Sequence, residues 1–229
     1  MTKRTSERLS DTPPCKGESF THVYLVPLPE TLDFSTLGYP PRDEELSAVR
    51  SPKVRLEKYY VFRLLEYAAR ASLGVTLEQL APTKGECGRW YSPICDFSLS
   101  HSKDAVAVAI STSRVGVDIE KLKEPRSLRF PERILTNAEL SVYGSLPEQE
   151  RTGYLISAWC CKEAVFKALG ESSFIPSSID TLNPAATLSE ELQEHKLSSD
   201  CLEINGEKYA ISVFSHKDCH IKTTLLPTL

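Results

Sequence analysis

The 229 residues contain no apolar run approaching the ~18 needed to cross a bilayer. The opening stretch, MTKRTSERLSDTPPCKGE, is polar and has nothing of a signal sequence about it. Neither a membrane span nor export is therefore expected, and the expected location is the cytoplasm. A basic excess is also missing: 27 Lys and Arg stand against 31 Asp and Glu, for a net charge of −4. A general nucleic-acid binder carries the opposite balance, so nucleic acid is not an expected partner. The seven cysteines include no CxxC pair, which removes the usual zinc spacing, and their odd number predicts reduced thiols rather than disulfides. The nucleophile-elbow pattern GxSxG is absent too, which argues against a serine hydrolase built from Ser100, His101 and Asp118.

What is present fits one large domain or two packed halves. A β-branched and aromatic run, Thr21–Leu28, predicts a strand, and residues 29–45, rich in Pro and Gly, predict a loop. Apolar residues at helical spacing from Val54 to Ala68 predict a helix over about 52–72, stopped by Gly74. Residues 83–94 read as loop, and strands follow at 96–100, 105–111 and 115–120. Thr136 with Glu139 forms a capping-box signature. The strongest helix spans about 150–169 and ends at Gly170, followed by an irregular Ser/Pro-rich stretch, 174–194. Asn205-Gly206 predicts a hairpin between strands 202–204 and 208–214, with a last strand near 221–225. Each half thus holds strands and one long helix. The expected fold is α+β, with two similar α/β lobes, residues 1–112 and 113–229.

Three short segments carry candidate chemistry. In Gly116-Val-Asp118-Ile-Glu120, strand alternation sends both acids to one side while Val117 and Ile119 enter the core. Paired carboxylates on a rigid strand suit a hard cation such as Mg²⁺, although a half-buried strand with a solvated acidic face shows the same pattern. In Trp159-Cys-Cys-Lys162-Glu163-Ala-Val-Phe-Lys167, Trp159, Glu163 and Lys167 fall on one helical stripe. Glu163 and Lys167 there form either a surface ion pair or a third carboxylate with a cation for phosphate. Phe97-Ser-Leu-Ser100-His101-Ser102 ends a strand with a histidine at its tip, where loops often carry function.

Taken in order, FSLSHS, VGVDIE and WCCKEAVFK resemble the motifs of the surfactin-type, broad-specificity 4′-phosphopantetheinyl transferase family over roughly residues 50–170. Gly88-Arg89-Trp90 stands where that family has Gly-Lys-Pro, and Cys160 where it has Ser or Thr. The resemblance implies two α/β lobes in a pseudo-twofold arrangement with the site between them. It implies transfer of the 4′-phosphopantetheine of coenzyme A, with Mg²⁺, to a serine of an apo acyl or peptidyl carrier protein. Asp118, Glu120 and Glu163 would bind the metal. Arg50, Lys53, Arg89, Ser100, His101 and Lys167 would contact coenzyme A, Glu163 would take the serine proton, and Lys162 is the alternative base. Residues 121–133 hold five bases against two acids. Lys121, Lys123, Arg126 and Arg129, with Leu128 and Phe130, are the expected carrier-docking residues, and a solvated charged loop is the other reading of that segment. A monomer is expected. The competing readings are another Mg²⁺-dependent enzyme of nucleotide or diphosphate substrates, and a non-catalytic coenzyme A-binding protein.

Overall fold

The structure, a computed structural model, describes residues 19–29, 39–85, 87–123, 130–184, 188 and 192–229. Its strands are β1 (Phe20–Pro27), β2 (Thr83–Lys84), β3 (Trp90–Tyr91), β4 (Asp96–Ser102), β5 (Ala105–Ser111), β6 (Val115–Lys121), β7 (His195–Ile204), β8 (Glu207–His216) and β9 (His220–Leu225). The helices are α1 (Pro40–Ala48), α2 (Pro52–Leu73), α3 (Leu77–Leu80), α4 (Phe130–Ile134), α5 (Asn137–Ser145) and α6 (Glu148–Leu169). One sheet has the order β4-β5-β1-β9, a second has the order β6-β8-β7, and β2 and β3 form a small ribbon.

The molecule is layered as helix, sheet, sheet, helix, and strand alternation builds the layers. On β1, Tyr24 and Val26 face α2, whereas Val23 and Leu25 face the second sheet. On β5, Val106, Val108 and Ile110 meet Phe62, Leu65 and Ala68 of α2. Its alternate residues Ala105, Ala107 and Ala109 are small, and they meet Val115, Val117 and Ile119 of β6. Each fully buried Leu, such as Leu64 or Leu65, contributes about 2 kcal/mol of burial energy. Helix α2 starts at Ser51, whose hydroxyl accepts the Val54 N–H, with Pro52 in the first turn, and it ends at Gly74 in the left-handed region. Helix α6 covers the outer face of β6 and stops at Gly170, also left-handed.

Four expectations change, the smallest being that residues 83–94, read as loop, hold the β2–β3 ribbon. Residues 40–45 of the stretch read as loop belong to α1, because a proline pair starts this polar helix rather than breaking it. Strand β7 begins at His195, well before Leu202, although its mostly polar, partly exposed side chains carry no alternating signal. The last strand does not stay with its own half: β9 pairs in parallel with β1. A cut at 112–113 therefore separates β5 from β6 but does not separate the two sheets.

Strands β4 and β6 meet without a backbone ladder between them. Side chains of β4 serve instead: Asp96, Ser98, Ser100 and Ser102 accept the N–H groups of Val115, Val117, Ile119 and Lys121 at 2.8–3.3 Å. Both strands advance by two residues per step, so one polar face of β4 satisfies one edge of β6. This stitch sets the register of the two acids that follow.

Candidate active site

With Val117 and Ile119 in the core, Asp118 and Glu120 turn toward α6. Gly116 makes that approach possible. A Cβ there would run into the Ala164 carbonyl and lie 2.9 Å from the Ala168 N–H nitrogen. The helix consequently lies close on the strand and brings Glu163 and Lys167 beside its acids.

Asp118 is buried and gathers residues of all three motifs. Ser100 Oγ donates to its Oδ1 at 2.7 Å, and Lys167 Nζ reaches the same oxygen at 2.5 Å and Ser100 Oγ at 2.9 Å. Burial works against the Lys167 charge, but Asp118 and Glu163 outweigh it and raise its pKa. Glu120 is held by Trp159 Nε1 at 3.0 Å and Ser102 Oγ at 3.3 Å. Burial first, then the Asp118 charge, raises its pKa. Glu163 is pushed up to about 7, mainly by burial; Lys167 opposes this, and Asp118 and Glu120 add to it. The three carboxylates therefore feel one another, and the site is short of positive charge.

Among the described residues, no three His, Cys, Asp or Glu side chains close tightly around a common point as they stand. The donor set nevertheless fits a hard cation. Asp118 Oδ2 is buried with no hydrogen-bond partner, and the ligands on offer are carboxylate oxygens whose mutual repulsion a divalent ion would relieve.

The other predicted residues lie at separate places around this cluster. His101 Nδ1 lies 3.5 Å from Glu57 Oε2, and Lys53 Nζ lies 3.8 Å from Glu57 Oε1, so one buried acid of α2 faces both. Burial, with Lys167, lowers the His101 pKa against the pull of Glu57. Arg50 is exposed between α1 and α2. Lys53 also lines a cavity of about 580 Å³, shared with Lys103, Lys121 and Tyr209. Arg89 lines another, of about 210 Å³, with Trp90, Phe166 and Lys167. Its guanidinium is turned to Asp96, at 2.6 Å, and to the carbonyls of Lys167 and Val115.

Lys162 is not brought to this cluster. It is fully buried on the other side of α6, donating to Glu139 Oε2 and the Ile179 carbonyl at 2.6 Å and to the Pro176 carbonyl at 3.1 Å. An ammonium with three acceptors has no free lone pair with which to take a proton. Of the docking residues, Lys121 pairs with Asp104 and Glu207, Lys123 is exposed, and the Phe130 ring packs 5.7 Å from that of Trp159. Arg126, Leu128 and Arg129 lie outside the described residues.

Sequence reasoning read Glu139 only as a capping residue and passed over Glu57, the Glu139–Lys162 pair, and the amide-capping roles of Ser98 and Ser102. The alternation Asp96, Ser98, Ser100, Ser102, set against a strand of equal length, was the one available signal for the last two.

Residues 114–222 match the 4′-phosphopantetheinyl transferase superfamily. The chain is 35% identical over 105 residues to the 4′-phosphopantetheinyl transferase ffp of Bacillus subtilis, covering 45% of this chain and 46% of that protein. It is 28% identical over 131 residues to the 4′-phosphopantetheinyl transferase Sfp of Bacillus subtilis strain 168, covering 57% and 50%. To the holo-[acyl-carrier-protein] synthase of Geobacillus kaustophilus it is 29% identical over 120 residues, covering 50% and 88%. The chain thus spans about half the length of ffp and of Sfp.

Proposed function

We propose that this chain, whose residues 114–222 match the 4′-phosphopantetheinyl transferase superfamily, moves the 4′-phosphopantetheine of coenzyme A onto a serine of an apo acyl or peptidyl carrier protein. Adenosine 3′,5′-bisphosphate is the leaving product. The observation that carries this reading is the meeting of Ser100, Asp118 and Lys167, from three separate motifs, within 2.5–2.9 Å.

Asp118, Glu120 and Glu163 are the residues that would hold Mg²⁺, which when bound supplies neutralisation of phosphate oxygens and a template for them. The remaining chemistry belongs to the chain. Phosphoryl transfer needs little covalent help, so positioning and charge dominate. Lys167 would turn its ammonium from Asp118 to the pyrophosphate and stabilise charge on the leaving side. Ser100 and His101 would hold phosphate oxygens, and Lys53, Arg50 and Arg89 would frame the adenosine end. Glu163, with a pKa of about 7, is suited to take the proton of the attacking serine hydroxyl near neutral pH. Lys162 serves as an internal anchor of α6.

In this reading the two helix-on-sheet layers are lobes related by a pseudo-twofold, with the first on the coenzyme A side and the second carrying the metal and docking side. The carrier would approach along Lys121, Lys123, Arg126, Arg129, Leu128 and Phe130. Contact between Phe130 and Trp159 supports this, since it ends that segment beside Glu120. The protein would act as a monomer in the cytoplasm; no helix among the described residues is long and apolar enough to cross a membrane.

The test is incubation with coenzyme A and an apo-carrier, with and without a chelator. A carrier mass gain of one phosphopantetheine that the chelator abolishes is expected. Coenzyme A binding without any mass gain would sink the transferase reading.

A further inference from the structure

Among the three acids, Glu120 alone has both carboxylate oxygens taken by uncharged donors, Trp159 Nε1 on Oε1 and Ser102 Oγ on Oε2. The donors come from different elements, α6 and β4, so the carboxylate is gripped from two sides. Each donor is itself fixed. Ser102 Oγ accepts the Lys121 N–H at 3.0 Å. The Trp159 ring is packed between Phe130 and Phe174, at centroid distances of 5.7 and 5.4 Å. Neutral donors orient a carboxylate without cancelling its charge, unlike the ammonium that Lys167 presents to Asp118.

We infer that Trp159 and Ser102 are positioning residues for the transfer proposed above, acting through Glu120 to aim its carboxylate at the ion that Asp118 and Glu163 would share. The inference rests on that reading of the acids. Outer donors of this kind set how well a ligand meets its metal, and their loss typically costs 10- to 100-fold in affinity or activity. Ser98 offers a built-in control. It caps the Val117 N–H at 3.0 Å from the same strand face, but no carboxylate of the site is among its hydrogen-bond partners.

The experiment compares Trp159→Phe, which keeps an aromatic ring between its two neighbours, with Ser102→Ala and Ser98→Ala in the full chain. Mn²⁺ affinity is read by electron paramagnetic resonance, and the indole N–H resonances of the two tryptophans are followed by NMR as Mg²⁺ is added. Trp159→Phe and Ser102→Ala should each weaken Mn²⁺ binding about tenfold, with Ser98→Ala close to wild type. The indole resonance missing from Trp159→Phe should shift with Mg²⁺. Equal Mn²⁺ affinity in Ser102→Ala and Ser98→Ala, or an unmoved Trp159 resonance, overturns the inference. Failure of the transferase reading would appear elsewhere, as a wild-type protein that leaves the carrier's mass unchanged.

Discussion

Glu163 sits one turn after Trp159 and one turn before Lys167 on α6, and its ionised form is unwelcome there. The sign of the consequence follows from its raised pKa. In the unfolded chain Glu163 ionises near 4.5, in the folded chain near 7. Its contribution to stability is intact below the lower value and is lost as pH climbs through the higher one. Without metal, Glu163→Gln should therefore leave stability nearly unchanged at pH 4 and raise it by about 1–3 kcal/mol at pH 8, seen in urea titrations at the two pH values. The same variant should lower carrier modification by at least about 10²-fold, because it removes both the base and a metal ligand. Modification at the wild-type rate by the folded variant would remove Glu163 from the mechanism.

At the scale of elements, the approach of α6 to β6 depends on Gly116. Gly116→Ala places a methyl against helix backbone, which cannot rotate out of the way as a side chain could. The helix must retreat, at about 1–3 kcal/mol of stability, and a displacement of about 1 Å between Glu163 and Asp118 is enough to slow transfer ~10²-fold. Thermal unfolding together with kcat would record both. On the side away from the acids, α6 is held by Lys162 and Glu139. Burial opposes the Glu139 charge, but hydrogen bonds from Lys162, Thr181 and Thr136 outweigh it and lower its pKa. That pair stabilises the fold above the usual carboxylate range and fades as pH falls through the lowered value. Lys162→Met should cost about 3–5 kcal/mol at pH 7, and adding Glu139→Gln should restore part of it, as measured by denaturant unfolding. Much of this layer was legible in advance. The capping box at Thr136 and Glu139 forms with both hydrogen bonds, the Asn205-Gly206 turn is present, and the stops at Gly74 and Gly170 are where the pattern places them. The partner of Lys162 was not legible, because Glu139 lies 23 residues away and already has a complete local explanation as a capping residue. Residues 195–201 of β7 escaped notice because this part of an edge strand is mostly polar and half-exposed.

For the whole molecule, charge is unevenly spread: the chain is acidic overall, yet the segment after β6 is basic. Lys121 is already paired with Asp104 and Glu207, so in the docking proposed above Lys123 and Arg126 would carry more of the attraction than Lys121. Reversing Lys123 and Arg126 to Glu should raise the carrier KM about tenfold and steepen no dependence on coenzyme A, measured by varying each substrate in turn. An unchanged carrier KM would place docking elsewhere. The pairing of β9 with β1 bears on how the protein is made. Strand β1 is translated early, yet its parallel neighbour emerges about 200 residues later, since Phe20 is matched with His220. During synthesis the β1 edge of the first sheet waits unpaired until β9 has been made. Newborn chains should lean on chaperones over that interval, and truncation before His220 should yield insoluble product from a ribosome that has completed every residue of the candidate active site.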